Sequence, residues 1–102
     1  MNIDERVEIS ILVKYYGKLL TKKQLEILSM YVDNNLSLAE VSSELSISRQ
    51  AVKDALDKAE DALRSFEKQL KFVARDLKLK STVLGANIDE KTKQKLLKIL
   101  EG

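Results

Sequence analysis

A chain of 102 residues that is 44% hydrophobic and 33% charged fits one folded domain, or one domain with an appendage, and excludes a disordered chain. Proline is absent and glycine stands only at 17, 85 and 102, too few turn-formers for an all-β fold, so a chain rich in Leu, Lys, Glu and Ala is expected to be all-α. Cysteine and histidine are both missing, which removes disulfides, most zinc sites and histidine-dependent triads and dyads, and no glycine-rich phosphate loop exists. Neither an enzyme nor a cofactor or metal is expected.

The net charge of +2 is unevenly spread. Residues 1–36 are neutral, residues 37–63 carry three basic and six acidic groups, and residues 64–102 carry ten basic and five acidic groups. The positive charge therefore sits in the C-terminal third. The opening MNIDERVE is charged at once and unlike a signal peptide. No run approaches the roughly 20 apolar residues that cross a bilayer, so a cytoplasmic protein with no membrane insertion is expected.

In chain order, Asp4 is the expected N-cap of a first helix, with Val7, Ile11, Leu12 and Tyr15 on its inner face and Gly17 as its left-handed stop. Thr21 and Gln24 form a capping box for a second helix, whose stripe is Leu25, Leu28 and Val32, widened by Ile27 and Tyr31. It should end at Asp33, Asn34 and Asn35. Ser37 and Glu40 form a second capping box, opening a third helix with Val41 and Leu45 inward. Ser46 and Ile47 make a turn, and Ser48 caps a fourth helix.

That fourth helix has no stop signal before about Lys80. Val52, Leu56, Ala59, Leu63, Phe66, Leu70, Val73 and Leu77 follow one another at steps alternating 4 and 3, a heptad stripe. Residues 81–88 read as a loop, and Asp89 caps a short last helix with Leu96, Leu97 and Leu100 on its apolar face. This divides the chain into a helix-turn-helix domain, 1–63, and a basic extended helix with a C-terminal helix, 64–102, expected to dimerise.

Residues 36–52 satisfy the needs of a helix-turn-helix without a wing: small Ser42 inside its first helix, apolar Ile47 in its turn and apolar Val52 on the inner face of its second. The exposed positions at the start of the second helix are Arg49, Gln50 and Lys53. Arginine can pair with guanine and glutamine with adenine in the major groove. Ser37, Ser48 and the helix N-termini are natural phosphate donors.

On LLTKKQ at 19–24, Tyr31, LSLAEV at 36–41 and SRQAV at 48–52, the chain resembles the YlxM family of small bacterial proteins. The same order is similar to the sigma-factor region that reads the −35 promoter element. The resemblance implies a helix-turn-helix regulator linked to the signal recognition particle pathway, with DNA, the particle's RNA, its protein or its receptor as partner. The chain departs from the family pattern at Ser42, Ser46 and Asp57, and Asp57 adds a carboxylate to the recognition helix.

Two readings stand side by side at each feature. Arg49, Gln50 and Lys53 either contact nucleic acid or form a solvated face. Phe66, Leu70, Val73 and Leu77 form either a homodimer interface or a seat for the folded-back last helix. The ten basic residues of the tail (Arg64, Lys68, Lys71, Arg75, Lys78, Lys80, Lys91, Lys93, Lys95 and Lys98) either contact phosphates or keep the protein soluble. A protein-interaction module of the targeting pathway is the alternative to a nucleic-acid-binding regulator.

Overall fold

The computed structural model describes residues 1–102 and is all-α. The helices are α1 (Ile3–Tyr16), α2 (Lys22–Leu28), α3 (Leu38–Leu45), α4 (Arg49–Leu70), α5 (Phe72–Leu84) and α6 (Glu90–Glu101). They fall into two compact units, Met1–Leu70 and Lys71–Gly102. Residues 64–70, grouped with the tail in the sequence, lie in the first unit.

The core of the first unit is built around α4. Val52, Leu56, Ala59 and Leu63 recur at helical spacing on one face and are buried. Ile9, Leu12 and Tyr16 from α1, Ile27 and Leu28 from α2, and Val41 from α3 complete it. Full burial of each large side chain contributes roughly 1.5–3 kcal/mol.

The first helix differs from expectation at both ends and on its faces. Asn2, not Asp4, is the N-cap, its Oδ1 accepting the Glu5 amide at 2.8 Å. The inward stripe is Ile9, Leu12 and Tyr16, while Val7 and Ile11 are exposed. Helix α1 is apolar around much of its circumference, so the neighbours available to it, rather than periodicity, choose the buried face. Gly17 does close the helix, but at a right-handed φ of −56°. A Cβ there would lie 3.2 Å from Val13 Cγ1 and 3.4 Å from Leu25 Cδ1, so the glycine serves close packing between α1 and α2.

Both capping boxes form. Thr21 Oγ1 accepts the Gln24 amide at 3.1 Å and Gln24 Oε1 accepts the Thr21 amide at 3.0 Å. Ser37 and Glu40 repeat the arrangement, with both bonds at 3.1 Å. After α2 the chain widens into one π turn, Ser29–Asp33, and Asn35 at φ 54° redirects it towards α3.

Polar contacts tie α1 to its neighbours. The Tyr16 hydroxyl donates to Glu67 Oε1, and its ring lies 6.0 Å from that of Phe66. Arg6 donates to the Tyr31 carbonyl at 2.7 Å and lies over the Tyr31 ring. Arg64 bridges Glu8 and Glu60, and its hydrogen bond to Glu8, then that to Glu60, raises its pKa above the ordinary guanidinium value.

The expected unbroken helix to Lys80 is interrupted. Lys71 adopts φ 56° and ψ 31°, ending α4 at Leu70 and starting α5 at Phe72. No glycine or proline marks the place, and the left-handed conformation costs a lysine about 1 kcal/mol or more. The heptad pattern crosses a helix break that it does not encode. Helix α5 also continues through Leu84, into the segment expected to be loop. Asp89 caps α6 as expected, accepting the Thr92 amide at 3.0 Å. No residue of α5 or α6 is buried.

Candidate nucleic-acid interface

Helices α3 and α4 are joined by Ser46, Ile47 and Ser48. Ser46 takes the left-handed conformation, φ 55° and ψ 42°. Its amide donates to the Ser43 carbonyl at 3.4 Å, and the Ile47 amide donates to the Ser42 carbonyl at 3.1 Å. This double closure is a Schellman turn, which normally favours glycine or asparagine. The Ser42 hydroxyl donates to the Ile47 carbonyl and braces the turn from inside the first helix. Serine at 42 therefore has a bond to make, which explains its fit there. Ile47 is half-buried rather than fully enclosed between the helices.

The start of α4 is set by Ser48, whose Oγ accepts the Ala51 amide at 3.0 Å. Ser37 and Ser48 both stand exposed at helix starts, one at each end of α3's half of the motif. Each hydroxyl oxygen accepts the backbone, which leaves its hydrogen to donate outward. The positive end of the helix dipole at α4 points the same way.

Arg49, Gln50 and Lys53 are all exposed on the first turns of α4. They share the helix end but differ in engagement. Gln50 Nε2 donates to Asp54 Oδ1 at 2.9 Å. Lys53 Nζ pairs with Asp57 Oδ2 at 3.5 Å, in an exposed i, i+4 contact. Such pairs contribute only a few tenths of a kcal/mol, so a phosphate or base can replace either carboxylate at little cost. Arg49 makes no ion pair.

A shallow cleft beside this face brings in residues the sequence reading missed. Lys23 and Lys58 line it, with Asp54, Thr21, Gln24, Ile47, Ala51 and Ala55. The two lysines are far apart in sequence and line one cleft because α2 packs on α4. No local pattern could have revealed that; only the pairing of helices does. They add positive charge beside a motif whose own segment is acidic.

The basic tail is partly committed. Arg64 is held by Glu8 and Glu60. Arg75 pairs with Asp76 and lies over the Phe72 ring at 5.0 Å. Lys93 Nζ donates to the Leu84 carbonyl at 3.1 Å, joining α6 to the end of α5. The proposed dimer stripe is also divided: Phe66 faces Tyr16 within the first unit, Leu70 is exposed at the end of α4, and Val73 and Leu77 lie on α5, beyond the helix break at Lys71. These four residues do not form one continuous helix face.

No helix is long and apolar enough to cross a membrane.

The family described as "Putative helix-turn-helix protein, YlxM / p13 like" matches residues 3–100. A UPF0122 protein of Clostridium perfringens (strain 13 / Type A) is 34% identical over 107 aligned positions, 97% of this chain and 96% of the relative. One from Malacoplasma penetrans (strain HF-2) is 44% identical over 68 residues, 67% of this chain and 64% of the relative. One from Caldanaerobacter subterraneus subsp. tengcongensis is 47% identical over 72 residues, covering 71% and 62%. The last two matches span slightly less than two thirds of those relatives' length. The chain thus belongs to the UPF0122 family of YlxM- and p13-like helix-turn-helix proteins.

Proposed function

We propose that the protein is a non-enzymatic DNA-binding regulator of the cytoplasm that uses the start of α4 as its recognition element. The observation that carries this reading is the closed turn at Ser46, which holds α3 and α4 as a helix-turn-helix and leaves Arg49, Gln50 and Lys53 exposed at the tip. Arg49 and Gln50 would read base edges, Lys53 a phosphate, and the Ser37 and Ser48 hydroxyls would fix the register on the backbone. Lys23 and Lys58 would offset the acidic residues of α4. The resemblance to YlxM proteins supports a place in the signal recognition particle pathway.

A second reading is a protein- or RNA-docking module of that pathway. It is favoured by the carboxylates Asp54 and Asp57, which already occupy Gln50 and Lys53 and oppose a polyanion. Fluorescence anisotropy with duplex DNA over a salt series separates the two. The first reading expects Arg49→Ala to weaken sequence discrimination and Lys53→Ala to lower the salt slope by about 1. Unchanged duplex binding in both variants would overturn it in favour of the second.

A further inference from the structure

We propose that the α5–α6 hairpin is the surface by which two copies of this chain associate, the two hairpins closing into a four-helix core. This inference goes beyond the DNA-binding reading and does not depend on it.

The hairpin cannot complete a core alone. Lys71–Gly102 forms a compact unit, yet none of its residues is buried. Units of fewer than about 40 residues seldom hold a fold without a disulfide, a metal or a partner. This chain has no cysteine and no histidine. A partner surface is what remains.

The apolar arcs fit helical neighbours. On α5, the half-buried Val73, Asp76, Lys80 and Val83 recur at helical spacing. Leu77 and Leu84 flank that line on one side and Leu79 on the other, all exposed. At the pitch of an α-helix these positions span roughly 160°, wider than the ~100° stripe one neighbour covers. On α6 an equally wide arc runs from Ile99, which is 74% exposed, through Leu96 and Leu100 to Leu97. Helices in a four-helix bundle have two neighbours each, and two hairpins supply four helices.

Charge and area favour a second copy as the occupant. The hairpin carries eight basic and four acidic residues, which would set two copies against each other if the lysines lay in the contact. Not all do: Lys80 shares the α5 line with the half-buried Asp76 and Lys93 is held by the Leu84 carbonyl, whereas Lys91 and Lys98 fall on the side of α6 opposite its apolar arc. These last two would stay in water on the outside of the bundle. A flat lipid surface would cover only one flank of α5, leaving either Leu77 and Leu84 or Leu79 in water. The exposed apolar side chains of one hairpin amount to on the order of 500 Å², so two would cover about 1,000 Å², where specific interfaces begin. A twofold contact of one patch with itself requires no other sequence feature.

Sedimentation equilibrium of the full chain tests this directly. A mass twice 11.6 kDa at micromolar concentration is expected. Leu77→Glu is expected to weaken association about a hundredfold, whereas Val7→Glu, on the exposed face of α1, is expected to leave it intact. Because a buried-interface glutamate can also unfold the hairpin, Ile99→Cys with a thiol cross-linker gives a milder check. It should yield covalent dimer efficiently, and Lys98→Cys, on the opposite side of α6, should not. A monomer at the highest soluble concentration overturns the proposal. So does a dimer broken by Val7→Glu and unaffected by Leu77→Glu. A monomer that floats with phosphatidylglycerol vesicles overturns it in favour of a lipid surface. A dimer that fails to bind DNA leaves this inference standing and sinks the DNA-binding reading instead.

Discussion

The two units of this chain solve the same problem differently. In Met1–Leu70, ten apolar residues are buried around one helix, and each of the four α-helices starts at a side-chain cap. In Lys71–Gly102, two amphipathic helices meet, but nothing is buried. The first unit has enough surface to enclose its own core. The second has the pattern of a core element without the bulk to make one. Amphipathic periodicity therefore indicates that a face will be covered, and not by what.

That contrast is broken most directly in the core. Leu63, fully buried, should lose about 2–5 kcal/mol on Leu63→Ala, seen in urea unfolding of the full chain. Leu77, 63% exposed within one copy, should give Leu77→Ala almost no loss in the first unit's unfolding transition. Equal losses at the two positions would mean the units share one core.

Caps come next in size. Ser37→Ala removes the acceptor of the Glu40 amide and should cost about 1 kcal/mol. It should not change the helicity of α5 or α6, as followed by amide exchange. Lys71→Gly is expected to stabilise the chain by a few tenths to 1 kcal/mol in thermal unfolding, because glycine adopts the left-handed conformation without the Cβ penalty. Destabilisation instead would show that α4 runs straight through this position.

The smallest effect is a pH dependence confined to the hairpin. Asp89 has its pKa lowered by the Thr92 hydroxyl, then by the Thr92 amide. A depressed carboxylate pKa means that the cap is complete above the ordinary aspartate range and is lost as pH falls through the folded value. Below about pH 4, exchange at the first amides of α6 should accelerate before the first unit changes. Asp89→Asn should abolish that dependence, since an amide oxygen still caps.

The same contrast explains what was legible. The caps at Thr21, Ser37, Ser48 and Asp89 were readable because each is a bond between a side chain and a backbone group within three residues. The helix-turn-helix was readable for the same local reason, together with Val52 and Leu56 at helical spacing. The buried face of α1 was not, because Val7 and Ile11 compete with Ile9 and Leu12 on a helix apolar on several sides. The break at Lys71 was not, because lysine carries no turn signature and the heptad continues past it. At the site, the positions of Arg49, Gln50 and Lys53 on α4 followed from spacing. Their engagement with Asp54 and Asp57, and the approach of Lys23 and Lys58, depend on rotamers and helix pairing.

The central claim is that the first unit's helix tip, rather than the basic hairpin, reads DNA. Duplex binding measured across a salt series, for specific and scrambled sequences, tests it most directly. The Arg49→Ala, Lys53→Ala double variant should lose discrimination between the two. A triple Lys91→Ala, Lys95→Ala, Lys98→Ala variant should weaken both equally and keep the ratio. Loss of all binding in the triple variant, with the double variant unchanged, would contradict the account.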